Sequence, residues 1–284
     1  MSTARRRQLG SWLVKLRKQS GCDVGEASRA LGCSESKIRH LEAGRSKVKK
    51  AELDLLVERY GAPAEVRSQL EETRLHTEER GWWESYRVPE WFAPFVDFES
   101  FATEAACFEL DLIPGPLQTE RYAYEIHRAG RYTTNPQDIA RRVKARVERR
   151  KRLTGDSPMY LRAVISESAL HRVVGSHSVM AEQLQQVLEL CEQPNVIVQL
   201  LPFEAGAHAS PSGSFVVLAF DQPEDESIGF LDTPLGGHII DRAEDVTALR
   251  YVFDEVRSHA LPVPATLERV TSIRDAHQCR HEKG

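Results

Sequence analysis

The chain has 284 residues, 41% hydrophobic and 28% charged, with a net charge of −4. That is enough apolar material for about two packed cores and excludes wholesale disorder. No run approaches the roughly 18 apolar residues of a spanning helix, and the opening ten residues lack the apolar stretch of a secretory signal, so a cytoplasmic protein without a membrane partner is expected. Cys22, Cys33, Cys107, Cys191 and Cys279 stand at long, uneven spacings with no C-x-x-C pair. They read as reduced thiols rather than a disulfide framework or a zinc module. Residues 1–50 hold 13 Lys and Arg against 4 Asp and Glu, and the remainder holds 25 against 38. A sign change of that size points to an N-terminal segment that meets a polyanion.

In chain order, Leu9, Trp12, Leu13 and Leu16 repeat at the spacing of one helix face, and that helix ends at Gly21. Asp23 and Glu26 form a capping box for a short second helix running to about Leu31. Gly32 supplies a left-handed turn residue, and Ser34 then caps a third helix with Ile38 and Leu41 inward, closed by Gly44. After the basic stretch 45–50, Leu53, Leu56 and Val57 mark a fourth helix over 51–60, stopped by Gly61. Pro63 introduces a fifth, from Ala64 to about Thr77.

Residues 82–101 hold eight of the 21 aromatic side chains: Trp82, Trp83, Tyr86, Trp91, Phe92, Phe95, Phe98 and Phe101. Core packing is the leading reading. Trp82, Trp83, Trp91 and Phe95 are kept as candidates for a partner or ligand surface. Residues 97–111 read as helical, Pro114-Gly115-Pro116 breaks the chain, and helical spacing resumes over 118–128 and 136–153. Strands are expected over 159–165, 196–201, 214–220 and 227–231, the last two separated by an acidic turn at 221–226. Helices at 178–191 and 243–258 complete the fold, the second closing it. The class is therefore multidomain: a five-helix domain over 1–75, an aromatic-rich connector over 76–96, and an α+β domain with a small sheet over 97–284.

The segment 21–45, G-C-D-V-G-E-A-S-R-A-L-G-C-S-E-S-K-I-R-H-L-E-A-G-R, resembles the Xre/Cro-type helix-turn-helix domain. Ala27, Leu31-Gly32, Ser34, Ile38, Glu42 and Gly44 stand where that pattern expects them. Val24 replaces the usual Gln, and Gly25 is a poor helix residue. The resemblance implies that the third helix enters the major groove, with Ser34, Glu35, Ser36 and Lys37 at its start and Arg39 and His40 further along. Arg45, Lys47, Lys49 and Lys50 would then lie near phosphates. Further on, Phe98 to Ala102, Leu112 to Ala123, Arg162 to Leu170 and Val252 to Arg257 resemble the large C-terminal domain of unknown function in actinobacterial Xre-type regulators of the toxin-antitoxin-like class, with Pro116 in place of the usual Leu. That likeness implies a transcriptional regulator that often works with a small protein encoded beside it.

The run Arg141 to Arg152 carries eight positive charges and one negative. A helix face paired with acids of its own domain is favoured there over a second length of DNA backbone or an acidic partner. Ser166, Glu167, Ser168 and His171 lie close in sequence without a G-x-S-x-G elbow. His277 to His281 reads as a frayed polar tail rather than a metal site. No catalytic residue, metal or cofactor is assigned. The leading expectation is a homodimeric, sequence-specific regulator that binds double-stranded DNA, modulated through its C-terminal domain by a small protein or a small-molecule effector. The alternative is an antitoxin-like protein whose main role is to hold that small protein.

Overall fold

The computed structural model describes residues 4–77, 81–130, 135–220 and 227–282, and the chain divides into two compact units. The acidic turn expected over 221–226 lies outside the described residues. The first unit comprises residues 1–81 with 220–226, and the second 82–219 with 227–284.

The first unit contains five helices, α1 (Ala4–Gln19), α2 (Val24–Leu31), α3 (Glu35–Glu42), α4 (Lys50–Arg59) and α5 (Ala64–His76). Their inward faces build one core from Leu9, Trp12, Leu13, Leu16, Ile38, Leu41, Leu53, Leu56, Val57 and Leu70. Helices this short are marginal alone, so burial of these side chains holds them. Gly10 sits inside α1, where a side chain is normally favoured. A Cβ there would lie 2.2 Å from the Glu42 carbonyl oxygen, so only glycine lets α1 cross the end of α3 so closely.

The second unit contains one six-stranded sheet in the order β3-β2-β1-β4-β5-β6, formed by β1 (Glu104–Glu109), β2 (Tyr160–Ser166), β3 (Val196–Leu201), β4 (Phe215–Ala219), β5 (Ile228–Thr233) and β6 (Gly236–Ile240). Strands β1, β2 and β3 are parallel; β4, β5 and β6 continue antiparallel from the other side of β1. The helices are α6 (Ala93–Glu99), α7 (Glu120–Ala129), α8 (Pro136–Thr154), α9 (Glu167–His171), α10 (His177–Leu190), α11 (Ala243–Ser258) and α12 (Val263–Glu282). On one sheet face, Ala106, Phe108, Val164, Phe215 and Val217 pack against Val246, Phe253 and Val256 of α11. The two-residue period of β1 sends Cys107 and Glu109 to the other face. There Phe230 of β5 meets Phe92 and Phe95.

The helix expected over 97–111 is a correction. α6 ends at Glu99 and the chain turns into β1, which is buried along Ala105 to Phe108. Covered on both faces, this strand needs no polar alternation, and its alanines carry no strand signal. The frayed tail expected over 277–281 is a second correction: it belongs to α12, which runs to Glu282 and buries Thr266, Val270, Ile273 and His277. That stripe includes a threonine and a histidine, which hides its apolar period. The second unit starts at Trp82, so most of the expected connector belongs to it: Phe95 is 2% exposed and stacks on Phe230 at 4.3 Å. Strand β6, opened by two glycines, was not expected.

Candidate nucleic-acid interface

Local chemistry fixes the α2-turn-α3 segment. The Glu26 amide donates to Asp23 Oδ1 at 2.6 Å, and the Asp23 amide donates to Glu26 Oε2 at 2.9 Å, the reciprocal capping box. That backbone hydrogen bond from Asp23 is the main cause holding the Glu26 carboxyl below its ordinary pKa. Gly32 ends α2 at φ 62°, satisfying its last carbonyls. Ser34 Oγ then accepts from the Lys37 amide at 3.3 Å and starts α3. Ile38 and Leu41 turn inward, each 1% exposed.

The opposite face of α3 is open. Glu35, Ser36, Lys37, Arg39 and His40 are all exposed, as are Ser34 before the helix and Arg45, Lys47, Lys49 and Lys50 after it. Every residue expected to touch DNA is therefore at the surface of this unit. Some already hold partners. Lys37 Nζ lies 2.5 Å from Glu52 Oε1, a hydrogen bond that raises the ammonium pKa. Arg39 pairs with Glu35 at 3.0 Å, and Lys50 with Glu71 at 3.5 Å. Surface pairs of this kind are worth about 0–1 kcal/mol, so another anion could displace any of the three acids. Among the described residues, Arg45 and Lys47 make no ion pair.

A residue that sequence reasoning passed over, Arg17, holds α3 in place. Arg17 grips Glu42 through Nε at 2.5 Å and Nη2 at 3.0 Å, while its Nη1 donates to the Cys22 carbonyl at 3.3 Å. One side chain on α1 thus ties the end of α3 to the start of the α2 segment, with the planar fork that a lysine lacks. Gly44, at φ 64°, lies so close to Arg7 that a Cβ would stand 2.6 Å from its backbone nitrogen. Arg29 on α2 is exposed, and its Nη1 and the Glu35 Oε1 both lie within 3.5 Å of where a Gly25 Cβ would stand. Only its charge could have flagged it.

In the second unit, Trp82, Trp83 and Trp91 are half-buried; Trp82 meets Trp83 edge-on at 6.0 Å. Phe95 lies in the core and offers no surface to a partner. The basic helix α8 turns much of its charge inward. Arg149 forks onto Glu99 at 2.5 and 2.8 Å, and Arg150 donates to the Gln118 carbonyl. Arg152 donates to the Ala102 carbonyl at 2.7 Å, and Arg141 pairs with Asp138 at 2.9 Å. Internal pairing is therefore the use the fold makes of these four arginines. Of the sequence neighbours Ser166, Glu167, Ser168 and His171, Glu167 takes the Arg269 guanidinium at 2.7 Å, while Ser168 Oγ lies 2.9 Å from Ser166 Oγ. His277 is buried with its Nδ1 2.8 Å from His177 Nδ1. No cluster of three metal-ligating side chains occurs among the described residues. None of the described helices is long and apolar enough to cross a membrane.

Two family models match the chain. A helix-turn-helix domain model matches residues 8–70, the five-helix unit. That match supports a DNA-binding regulator. No curated protein and no solved structure matches the chain. A second model, a domain of unknown function designated DUF5753, matches residues 92–272. Because that match covers well over half of the sequence, the chain belongs to the DUF5753 family, here carrying an N-terminal helix-turn-helix domain.

Proposed function

We propose that the protein is a sequence-specific transcriptional regulator that reads the major groove with α3 and binds as a homodimer. The observation that carries this reading is the exposed polar face of α3, Glu35 to His40, continued by Arg45 and Lys47, on a helix whose caps and inward residues fix its direction. Lys37 and Arg39 are assigned to base edges or the nearest phosphates, and Arg45, Lys47, Lys49 and Lys50 to the backbone. One such helix reads only a few base pairs, so a two-fold dimer reading half-sites about 34–36 Å apart is the natural arrangement. In this reading the DUF5753 domain joins the two copies and takes the input, from a small protein encoded nearby or a small molecule, and the protein works in the cytoplasm without catalysing a reaction.

In vitro selection from a random duplex pool tests the proposal. Full-length protein should enrich one motif with two similar half-sites, bound about 10³-fold or more tighter than a scrambled duplex. Enrichment of no motif, with equal binding to both duplexes, would leave only electrostatic affinity and defeat the reading.

A further inference from the structure

In the second unit, beside the end of β1, two arginines of α8 stand together with unused hydrogen-bonding capacity. Arg149 is 5% exposed; its Nε and Nη2 are engaged by Glu99, and its buried Nη1 has no partner. Arg146, one turn earlier, is partly buried and makes no hydrogen bond or ion pair among the described residues. Both Nη1 atoms converge on Gly115: a Cβ there would lie 2.6 Å from Arg146 Nη1 and 2.8 Å from Arg149 Nη1. The bare glycine leaves the space in which two like charges stand side by side. Phe92 covers them, with its ring 5.2 Å from the Arg149 guanidinium carbon and 6.0 Å from that of Arg146.

A buried, unsatisfied guanidinium nitrogen is destabilising, and a second cation beside it adds repulsion. Glu99 neutralises one of the two charges. Glu109, the last residue of β1, faces Arg146, but burial pushes its carboxyl up to about 7, and it forms no salt bridge with either arginine. Asp232 of β5 lies towards solvent and likewise holds neither arginine in an ion pair.

We infer that Arg146 and Arg149, with the Gly115 turn, form a binding site for the carboxylate of a small molecule. Two adjacent guanidinium groups match the two oxygens of a carboxylate. The nearby acids Glu99, Glu109 and Asp232 disfavour a more highly charged anion such as a phosphate dianion. The site stands independently of DNA binding, since its residues all belong to the second unit.

Calorimetric titration of the full-length protein with sodium acetate and sodium benzoate, at ionic strength fixed with sodium chloride, tests the inference, with inorganic phosphate in a parallel run. A saturable isotherm is expected for a carboxylate and not for phosphate. Arg146→Lys keeps the charge and removes the fork, and should weaken carboxylate binding by about tenfold or more while leaving the unliganded melting temperature near that of the parent. Gly115→Ala, which sets a methyl group against both Nη1 atoms, serves as the second variant and should also weaken carboxylate binding. Heat independent of anion type, tighter binding of phosphate, or carboxylate binding unchanged in both variants would overturn the assignment.

Discussion

Replacement of Gly10 by alanine probes how α3 is positioned. The new Cβ would stand 2.2 Å from the Glu42 carbonyl oxygen, 2.8 Å from its carbon and 2.9 Å from the Leu41 oxygen. These are backbone atoms, so no side chain can rotate away and α1 must part from α3 by about an ångström to relieve the overlap. Overpacking of this kind costs roughly 1–3 kcal/mol, against a gain of up to about 1 kcal/mol for alanine over glycine in a helix. A net loss of up to about 2 kcal/mol in the first unit is expected. Because the strain falls at the end of α3, beside the Arg17–Glu42 fork, specific DNA affinity should fall further than scrambled-duplex affinity. Hydrogen exchange on the full-length protein, read at the α1 and α3 amides, measures the stability change, with exposed Lys18→Ala as the control. Equal protection in Gly10→Ala and the control would refute the claim that this crossing requires glycine.

Ser34→Ala removes the cap of α3 and should lower the stability of the first unit by about 1 kcal/mol; unchanged exchange at the start of α3 would count against the cap's role. Glu99→Leu leaves Arg149 buried and uncompensated, and should cost about 3–5 kcal/mol in urea unfolding of the second unit. A loss below about 1 kcal/mol would show that the pair is dispensable. Burial, then Arg146 and Arg142, press His127 down to about 3, whereas an unfolded chain takes a proton near 6.5. Between those values the unfolded state binds more protons, so stability falls as pH drops through the window, by up to about 1.4 kcal/mol per pH unit from this one group. His127→Gln should flatten the urea midpoint against pH there, and a slope identical to the parent would remove His127 as its source.

What was legible in the sequence is what local chemistry decides. The Asp23–Glu26 box, the Gly32 turn and the Ser34 cap each act within four residues, so residue types alone predict the α2-turn-α3 segment and the exposed face opposite Ile38 and Leu41. Strand β1 is different, because Ala105 to Phe108 owe their burial to β2, β4 and helices on both faces, none of them near in sequence. Long-range partners were equally hidden. Glu99 and Arg149 are 50 residues apart, and His277 finds His177 across 100. Gly10 reads locally as a flaw in a helix and acquires meaning only where α3 crosses it.

The central claim is that α3 reads bases while the loop after it holds phosphates, and two double variants separate these roles most directly. Fluorescence anisotropy on the selected and scrambled duplexes, over several salt concentrations, would compare Lys37→Ala/Arg39→Ala with Arg45→Ala/Lys47→Ala. The account predicts that the first pair collapses the ratio of specific to scrambled affinity. The second should weaken both duplexes alike and reduce the salt slope by about 0.9 for each phosphate left without its cation. A specific ratio that survives removal of the Lys37 and Arg39 side chains would contradict the account.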